Sequence, residues 1–213
     1  GEGSFVRGRT ASVNKVHRWW IAQDIDAQDS EDFNKLLLDE LMQGRNCVVL
    51  PVSAHGLCFF TEAHQLRRAL QGIDMQSAPL HVWVGSSPLN FINILDEVVG
   101  AGNWCGVVLA DPIGELLVGS SEPNMEDRFD DMATTCMCAS SHKSDIRTIG
   151  VRGHLWGDAG ANAVDEIAYA LATAVEYLKA MCERGITTAQ LSQQFVFSLS
   201  LGSDIFMQIA KLR

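Results

Sequence analysis

The chain has 213 residues, 16 basic against 26 acidic side chains for a net charge of −10, and a hydrophobic fraction of 47%. So much apolar surface excludes a disordered chain, and the acidic balance argues against nucleic acid, whose phosphates call for clustered Lys and Arg. No apolar run approaches the ~18 residues that span a bilayer, so no membrane partner is expected; Gly1-Glu2-Gly3-Ser4 lacks the basic-then-apolar pattern of a secretory signal.

Residues 1–15, with Arg7, Arg9 and Lys15 and little apolar periodicity, read as an extended arm. From residue 16 onward, apolar runs alternate with capped amphipathic helices. The first run, 16–25, contains Trp19-Trp20-Ile21. Ser30 then caps a helix with Phe33, Leu37 and Leu41 on one face, ending near Gly44. A second strand over 47–52 precedes a helix that starts near Thr61, uses Leu66 and Leu70, and stops at Gly72. A third strand spans 80–84. Ser87-Pro88 supplies an N-cap and a proline at the first helical position for a helix with Phe91, Leu95 and Val98.

The fourth strand spans 105–110, followed by a helix over about 124–140 with Phe129, Met132 and Cys136 inward. A fifth strand at 148–151 leads to the longest helix. Asn162 caps it, Asp165 and Glu166 complement the dipole in its first turn, and Val164, Ile167, Leu171, Val175 and Leu178 form the expected buried stripe before Gly185. A sixth strand covers 195–200, and Ser203 or Asp204 opens a last helix from Ile205 with no C-cap glycine. Alternating strands and helices imply a parallel α/β sheet, either doubly wound or a barrel. The first strand-to-helix turn, Asp24-Ile25-Asp26-Ala27-Gln28-Asp29, has no glycine fingerprint, which argues against a phosphate-binding loop.

In either architecture function gathers at the carboxyl ends of strands. Those ends offer Asp24 and Asp26, Ser53 and His55, Ser86, Asp111, His154 and Asp158, and Ser203 with Asp204. Asp24 and Asp26 have the makings of an acid–base pair, but solvated loop carboxylates are the commoner use of such residues. Ser53-Ala54-His55-Gly56 is no nucleophile elbow. The segment 153–161, with Gly153, Gly157 and Gly160 around Trp156 and Asp158, reads equally as a ligand-facing loop and as turn formers with Trp156 as a plug. Cys47, Cys105 and Cys182 adjoin apolar runs and read as buried free thiols of a reducing cytoplasm. Cys136, Cys138 and His142 are the one metal-like grouping; with no second ligand pair, packing within a helix is the preferred reading and no metal is expected.

Arg147-Thr-Ile-Gly-Val151, Asp158-Ala-Gly-Ala161, Glu166-Ile-Ala-Tyr-Ala-Leu-Ala172 and Val175-Glu-Tyr-Leu178, with the closing run Gly202 to Arg213, resemble the adenosylcobalamin-dependent acyl-CoA mutases. Phe5 to Gly8 and Trp19 to Gln23 are similar to that family's first strand region. The resemblance is strong over 147–213 and thinner but collinear before. It implies a substrate-binding (β/α)8 TIM-type barrel threaded by the CoA chain, with cobalamin on a separate domain. About six of the eight strand–helix units of such a barrel are legible. The expectation is therefore an incomplete barrel over 16–213, stopping within its last helix, without the cobalamin-binding domain and with an exposed sheet edge prone to self-association.

The departures from the family pattern carry the functional expectation. Catalytic members have Gly-Tyr-His-x-x-Glu-Ala-Gly-Ala at the fifth strand, the His there meeting the thioester carbonyl. Here the Tyr position is His154 and the His position is Leu155, which has no donor. The substrate-facing Gln of the fourth strand is Leu109, and the Tyr of the first strand is Asp24, whose charge opposes a carboxylate-bearing substrate. The Arg and Tyr expected after the fourth strand are not visible in 115–124. The resemblance thus implies the small, non-catalytic subunit of a heterodimer. Its large catalytic subunit would bind adenosylcobalamin and interconvert methylmalonyl-CoA and succinyl-CoA. No catalytic residue or cofactor is expected in this chain, and Asp111, His154, Asp158 and Ser203 remain as vestigial candidates at the barrel mouth. The alternative is a divergent active acyl-CoA mutase that uses His154 and Asp158.

Overall fold

A computed structural model describes residues 20–51, 58, 60, 62–85, 88–119, 124–142 and 145–213. Five strands form one sheet: β1 (Val48–Val49), β2 (Leu80–Trp83), β3 (Gly106–Ala110), β4 (Ile146–Arg152) and β5 (Phe195–Ser198). They lie side by side in chain order, each parallel to the next. Among the described strands no reversal of order occurs, so they form no topological switch point of the doubly wound kind. Among the described residues β1 and β5 each pair on one side only, and the sheet is open: an incomplete TIM-like barrel.

The crossovers are α1 (Ser30–Met42), α2 (Ala63–Ala69), α3 (Pro88–Val99), α4 (Pro112–Leu117), α5 (Met125–Ser141), α6 (His154–Asp158), α7 (Ala163–Glu183), α8 (Thr188–Leu191) and α9 (Ile205–Lys211). Their starts are chemically marked. Asp29, rather than Ser30, caps α1, accepting from the backbone N–H groups of Glu31 and Asp32 at 2.8 and 2.9 Å. Asn162 caps α7 and Asp204 caps α9 in the same way. Leu80, Val82, Val84 and Val108 on one face of the sheet pack with Phe33, Leu37, Leu66, Phe91 and Leu95 of the helices. Ile149 and Val151 of β4 continue that layer against Met132, Cys136, Tyr177 and Met181.

Three expectations are corrected. The first is the opening strand of the six strand–helix units: residues 1–19, with the arm and part of the 16–25 run, lie outside the described residues, and 20–27 form no strand. Trp20 and Ile21 are half exposed, and Ile21 is tied to Asn46 through a side-chain and a backbone hydrogen bond. Asp24 is therefore not at the carboxyl end of a strand. The second is the stripe on α7. Val164, Leu171 and Val175 are exposed, at 72%, 54% and 47%, while Glu166, Ala170, Thr173, Tyr177, Ala180 and Met181 face inward. The small inward residues let the helix lie close to the sheet: a Cβ on Gly153 would sit 3.0 Å from the Cβ of Ala170. The third is Cys182, which is exposed, whereas Cys47 is buried and Cys105 half-buried; all six thiols are free.

The β2–β3 pairing requires glycine at position 106. Gly106 has φ +132°, and a Cβ there would meet Leu80 O at 2.1 Å and Leu80 N at 2.6 Å. Both contacts are backbone, so no rotamer change relieves them. Gly106→Ala is expected to lower stability by about 2–4 kcal/mol, read as a fall in the urea midpoint of the full-length protein. A wild-type midpoint would contradict the pairing.

Candidate functional site

The carboxyl ends of β3 and β4 meet at Asp111, which follows β3 directly and is 2% exposed. Asp-Pro is a helix-opening pair, and Asp111 caps α4 by accepting from Gly114 N–H at 3.1 Å, with Pro112 filling the first turn. The same carboxylate has three further donors. Tyr177 of α7 donates its hydroxyl to Oδ1 at 2.5 Å, and Arg152 donates its backbone N–H and its Nε to Oδ2 at 2.9 and 3.2 Å. Arg152 Nη2 also donates to the Asp111 carbonyl at 3.3 Å. Tyr177 in turn accepts from Ile113 N–H at 2.8 Å. Burial, then the Asp111 charge, pushes the Tyr177 phenol far above its ordinary value, so it remains a donor. Its role is to hold Asp111 rather than to exchange a proton.

Arg152 lies over the indole of Trp83, 5.5 Å from the ring centroid. Gly150 makes room for that indole: a Cβ there would be 2.3 Å from Trp83 Cζ3 and 3.0 Å from Leu109 Cβ. Trp83, Leu109 and Gly150 thus fill one another's space on the sheet face opposite the helices. Glu115, one turn into α4, pairs with Arg128 of α5 at 3.1 Å. Burial raises its carboxyl above the usual range, with Arg128 and Arg152 opposing.

A second ionic cluster joins β5, α7 and α9. Glu166, 1% exposed, accepts from Ser200 N–H and Ser200 Oγ at 2.7 Å each and from Lys211 Nζ. Lys211 also donates to the Ser200 carbonyl at 2.7 Å. Burial by itself would raise the Glu166 carboxyl, but the hydrogen bonds from Lys211 and Ser200 outweigh it and hold the group below its ordinary value. Glu166 is therefore not the dipole-facing surface carboxylate that its first-turn position implies.

The sequence-derived candidates do not converge. Asp111 is consumed by structure. His154 is the first residue of α6, so the glycine-rich segment is partly a short helix rather than a loop. Its imidazole is pushed down by burial, with Asp158 pulling the other way, and its Nδ1 is buried without a hydrogen-bond partner among the described residues. Leu155 follows it, half-buried, while Asp158 and Ser203 are exposed. Leu109 is fully buried. Asp24 is exposed, and its electrostatic neighbours are Arg45 and His81, at the amino-terminal ends of β1 and β2. Ser53, His55 and Ser86 lie outside the described residues. Cys136 and Cys138 point apart, one buried and one exposed, and His142 Nε2 sits 3.0 Å from both oxygens of Asp96. Among the described residues no group of three or more His, Cys, Asp or Glu side chains is placed to hold a metal ion.

Sequence reasoning missed Arg152, Tyr177, Glu115, Lys211 and Ser200. An arginine at the carboxyl end of β4, after the apolar run Ile149-Gly150-Val151, was the available signal; the others lie too far apart in the chain to be paired by pattern. Asp111→Asn leaves the Arg152 guanidinium buried without its counter-charge, and an expected loss of about 3–5 kcal/mol follows. Tyr177→Phe should cost about 1.5–3 kcal/mol, one hydrogen bond to a charged group. Urea unfolding of both variants and of the double variant measures the coupling, which should be clearly non-additive. For Glu166, whose folded value is lowered, the stabilisation is present above the unfolded carboxyl value near 4.5 and fades as pH falls through the folded one. Lys211→Met should remove that acid-side dependence in a melting profile from pH 7 to 3.

The chain matches the family described as methylmalonyl-CoA mutase over residues 49–213. It is 27% identical to the methylmalonyl-CoA mutase small subunit of Streptomyces virginiae, with 100% of this chain aligned to 34% of that protein. To the methylmalonyl-CoA mutase small subunit of Propionibacterium freudenreichii subsp. shermanii it is 22% identical, again over 100% of this chain and 33% of the relative. Over 68 residues, 32% of this chain and 10% of the relative, it is 37% identical to the methylmalonyl-CoA mutase of Escherichia coli. The chain spans about a third of the length of the first two relatives.

Proposed function

The chain belongs to the methylmalonyl-CoA mutase family, and from that membership we propose that it serves as the small, non-catalytic subunit of a mutase heterodimer. Its large partner would carry out the radical interconversion of methylmalonyl-CoA and succinyl-CoA. The observation that carries this reading is the state of the sheet face where the family binds its thioester. Leu109 is fully buried there, and Trp83 lies across Gly150. Arg152, the nearest cation, already serves Asp111. A thioester carbonyl needs a donor aimed at its developing negative charge. Leu109 and Leu155 have none to offer, and the Nδ1 of His154, the residue before Leu155, is buried.

The same filling bears on the cofactor. Adenosylcobalamin supplies the radical that starts the rearrangement, and its corrin needs a broad open seat. The described residues at the carboxyl ends of β2, β3 and β4 are packed against one another, so they do not fit a corrin, and we assign the cofactor and the acyl-CoA to the partner subunit. Among the described residues no helix is long and apolar enough to cross a membrane. With six free thiols, three of them buried, the reading places the chain in a reducing cytoplasm. Exposed apolar side chains of α9 (Ile205, Phe206 and Ile209) and the edge of β5 offer surface for subunit packing or, in isolation, self-association.

The test is reconstitution. Full-length protein with adenosylcobalamin and methylmalonyl-CoA should give no succinyl-CoA by itself, and should co-purify with a catalytic mutase chain as a stable complex at micromolar concentration. Sustained turnover by the lone protein would instead support the divergent enzyme built on His154 and Asp158.

A further inference from the structure

At the opposite end of the strands from Asp111, the turn from α1 into β1 buries a guanidinium whose terminal nitrogens have no hydrogen-bond partner among the described residues. Arg45 is 6% exposed. Its backbone N–H donates to Glu40 O at 3.1 Å, and its Nε donates to Cys47 O at 2.7 Å. Nη1 and Nη2 are both buried and have no hydrogen-bond partner among the described residues. Four N–H bonds of one guanidinium are thus removed from water with nothing in exchange.

An arginine cannot escape this cost by giving up its proton. Nor do its neighbours supply a charge within bonding distance. Glu40 and Asp24 act on it electrostatically but form no hydrogen bond or ion pair with it. The Cys47 thiol donates to Pro79 O at 3.3 Å, and burial pushes it up to about 11, so it carries no charge at neutral pH. His81 on β2 is pushed down by burial and is likewise uncharged there. Gln43, Gly44 and residues 20–24, which flank it, are exposed.

We infer that Arg45 is the cationic floor of an oxyanion site at the amino-terminal end of β1, taking a carboxylate or phosphate group whose two oxygens match Nη1 and Nη2, the one edge of the guanidinium left free. The fork geometry selects a bidentate acceptor over a spherical anion such as chloride. Asp24, exposed and close enough to be felt by both Arg45 and His81, opposes an incoming anion and sets the affinity. This site shares no residue with the Asp111 and Glu166 clusters.

Isothermal titration of the full-length protein with inorganic phosphate, in chloride at constant ionic strength, tests it. One saturable site is expected in the wild type. Arg45→Met should abolish it. Arg45→Lys should weaken it about tenfold, because an ammonium keeps the charge but loses the second parallel bond. Asp24→Asn should tighten it severalfold. A parallel titration with acetate separates the sources: preference for acetate points to a protein carboxylate, preference for phosphate to a phosphorylated small molecule. No saturable heat in the wild type, or unchanged binding in Arg45→Met, overturns the inference. Should Arg45→Met fail to fold, unchanged affinity in Arg45→Lys overturns it equally.

Discussion

One carboxylate joins the parts of this fold that are farthest apart in sequence. Asp111 accepts from Gly114 in its own helix, from Arg152 at the end of the next strand, and from Tyr177 in the middle of α7. Each donor comes from a different element, so the ends of β3 and β4, the start of α4 and the rotation of α7 are fixed relative to one another. In low dielectric such a group is stabilising only when every lone pair is used, and here both oxygens are. Arg152 extends the network to Trp83, and through that ring to Gly150 and Leu109. The sheet face that catalytic relatives would be expected to keep open is therefore tied to the same network.

That arrangement gives the non-catalytic reading a physical basis independent of names. Under that proposal leucine at positions 109 and 155 offers a thioester no donor, and Trp83, with Arg152 over its ring, fills the space beside Leu109 at Gly150. Polar residues persist at the strand ends, but they are committed: Asp111 to Arg152 and Tyr177, Glu115 to Arg128, Glu166 to Ser200 and Lys211. These pairings hold helices to the sheet.

The Glu166 cluster does for β5 and α9 what Asp111 does for β3 and α7. Lys211 and Ser200 come from either side of the 202–204 turn and meet one carboxylate on α7. α9 is held by that buried contact while Ile205, Phe206 and Ile209 face outward. A short helix with an apolar outer face gains little from burial of its own, so the ion pair is what positions it.

The sequence by itself determined the alternation of the five strands with the long helices between them, because strand runs, caps and glycine stops are local properties; the short helices α4, α6 and α8 went unread. Asn162 and Asp204 each mark a helix start where it occurs, whereas α4, opened by Asp111 and Pro112, went unread between the fourth strand and the helix that follows it. The sequence also carried the family resemblance, since that is a matter of residue identity. The side of α7 that faces the core was decided only in three dimensions. Two faces of that helix are apolar, and the small residues around Ala170, together with the reach of Tyr177 to Asp111, select the one that the stripe of larger side chains would not. The same holds for Glu166, Arg152 and Arg45. Burial and pairing of a charged side chain depend on partners that lie tens of residues away or, for the Arg45 terminal nitrogens, are missing from the chain's described residues. No local pattern encodes that distinction.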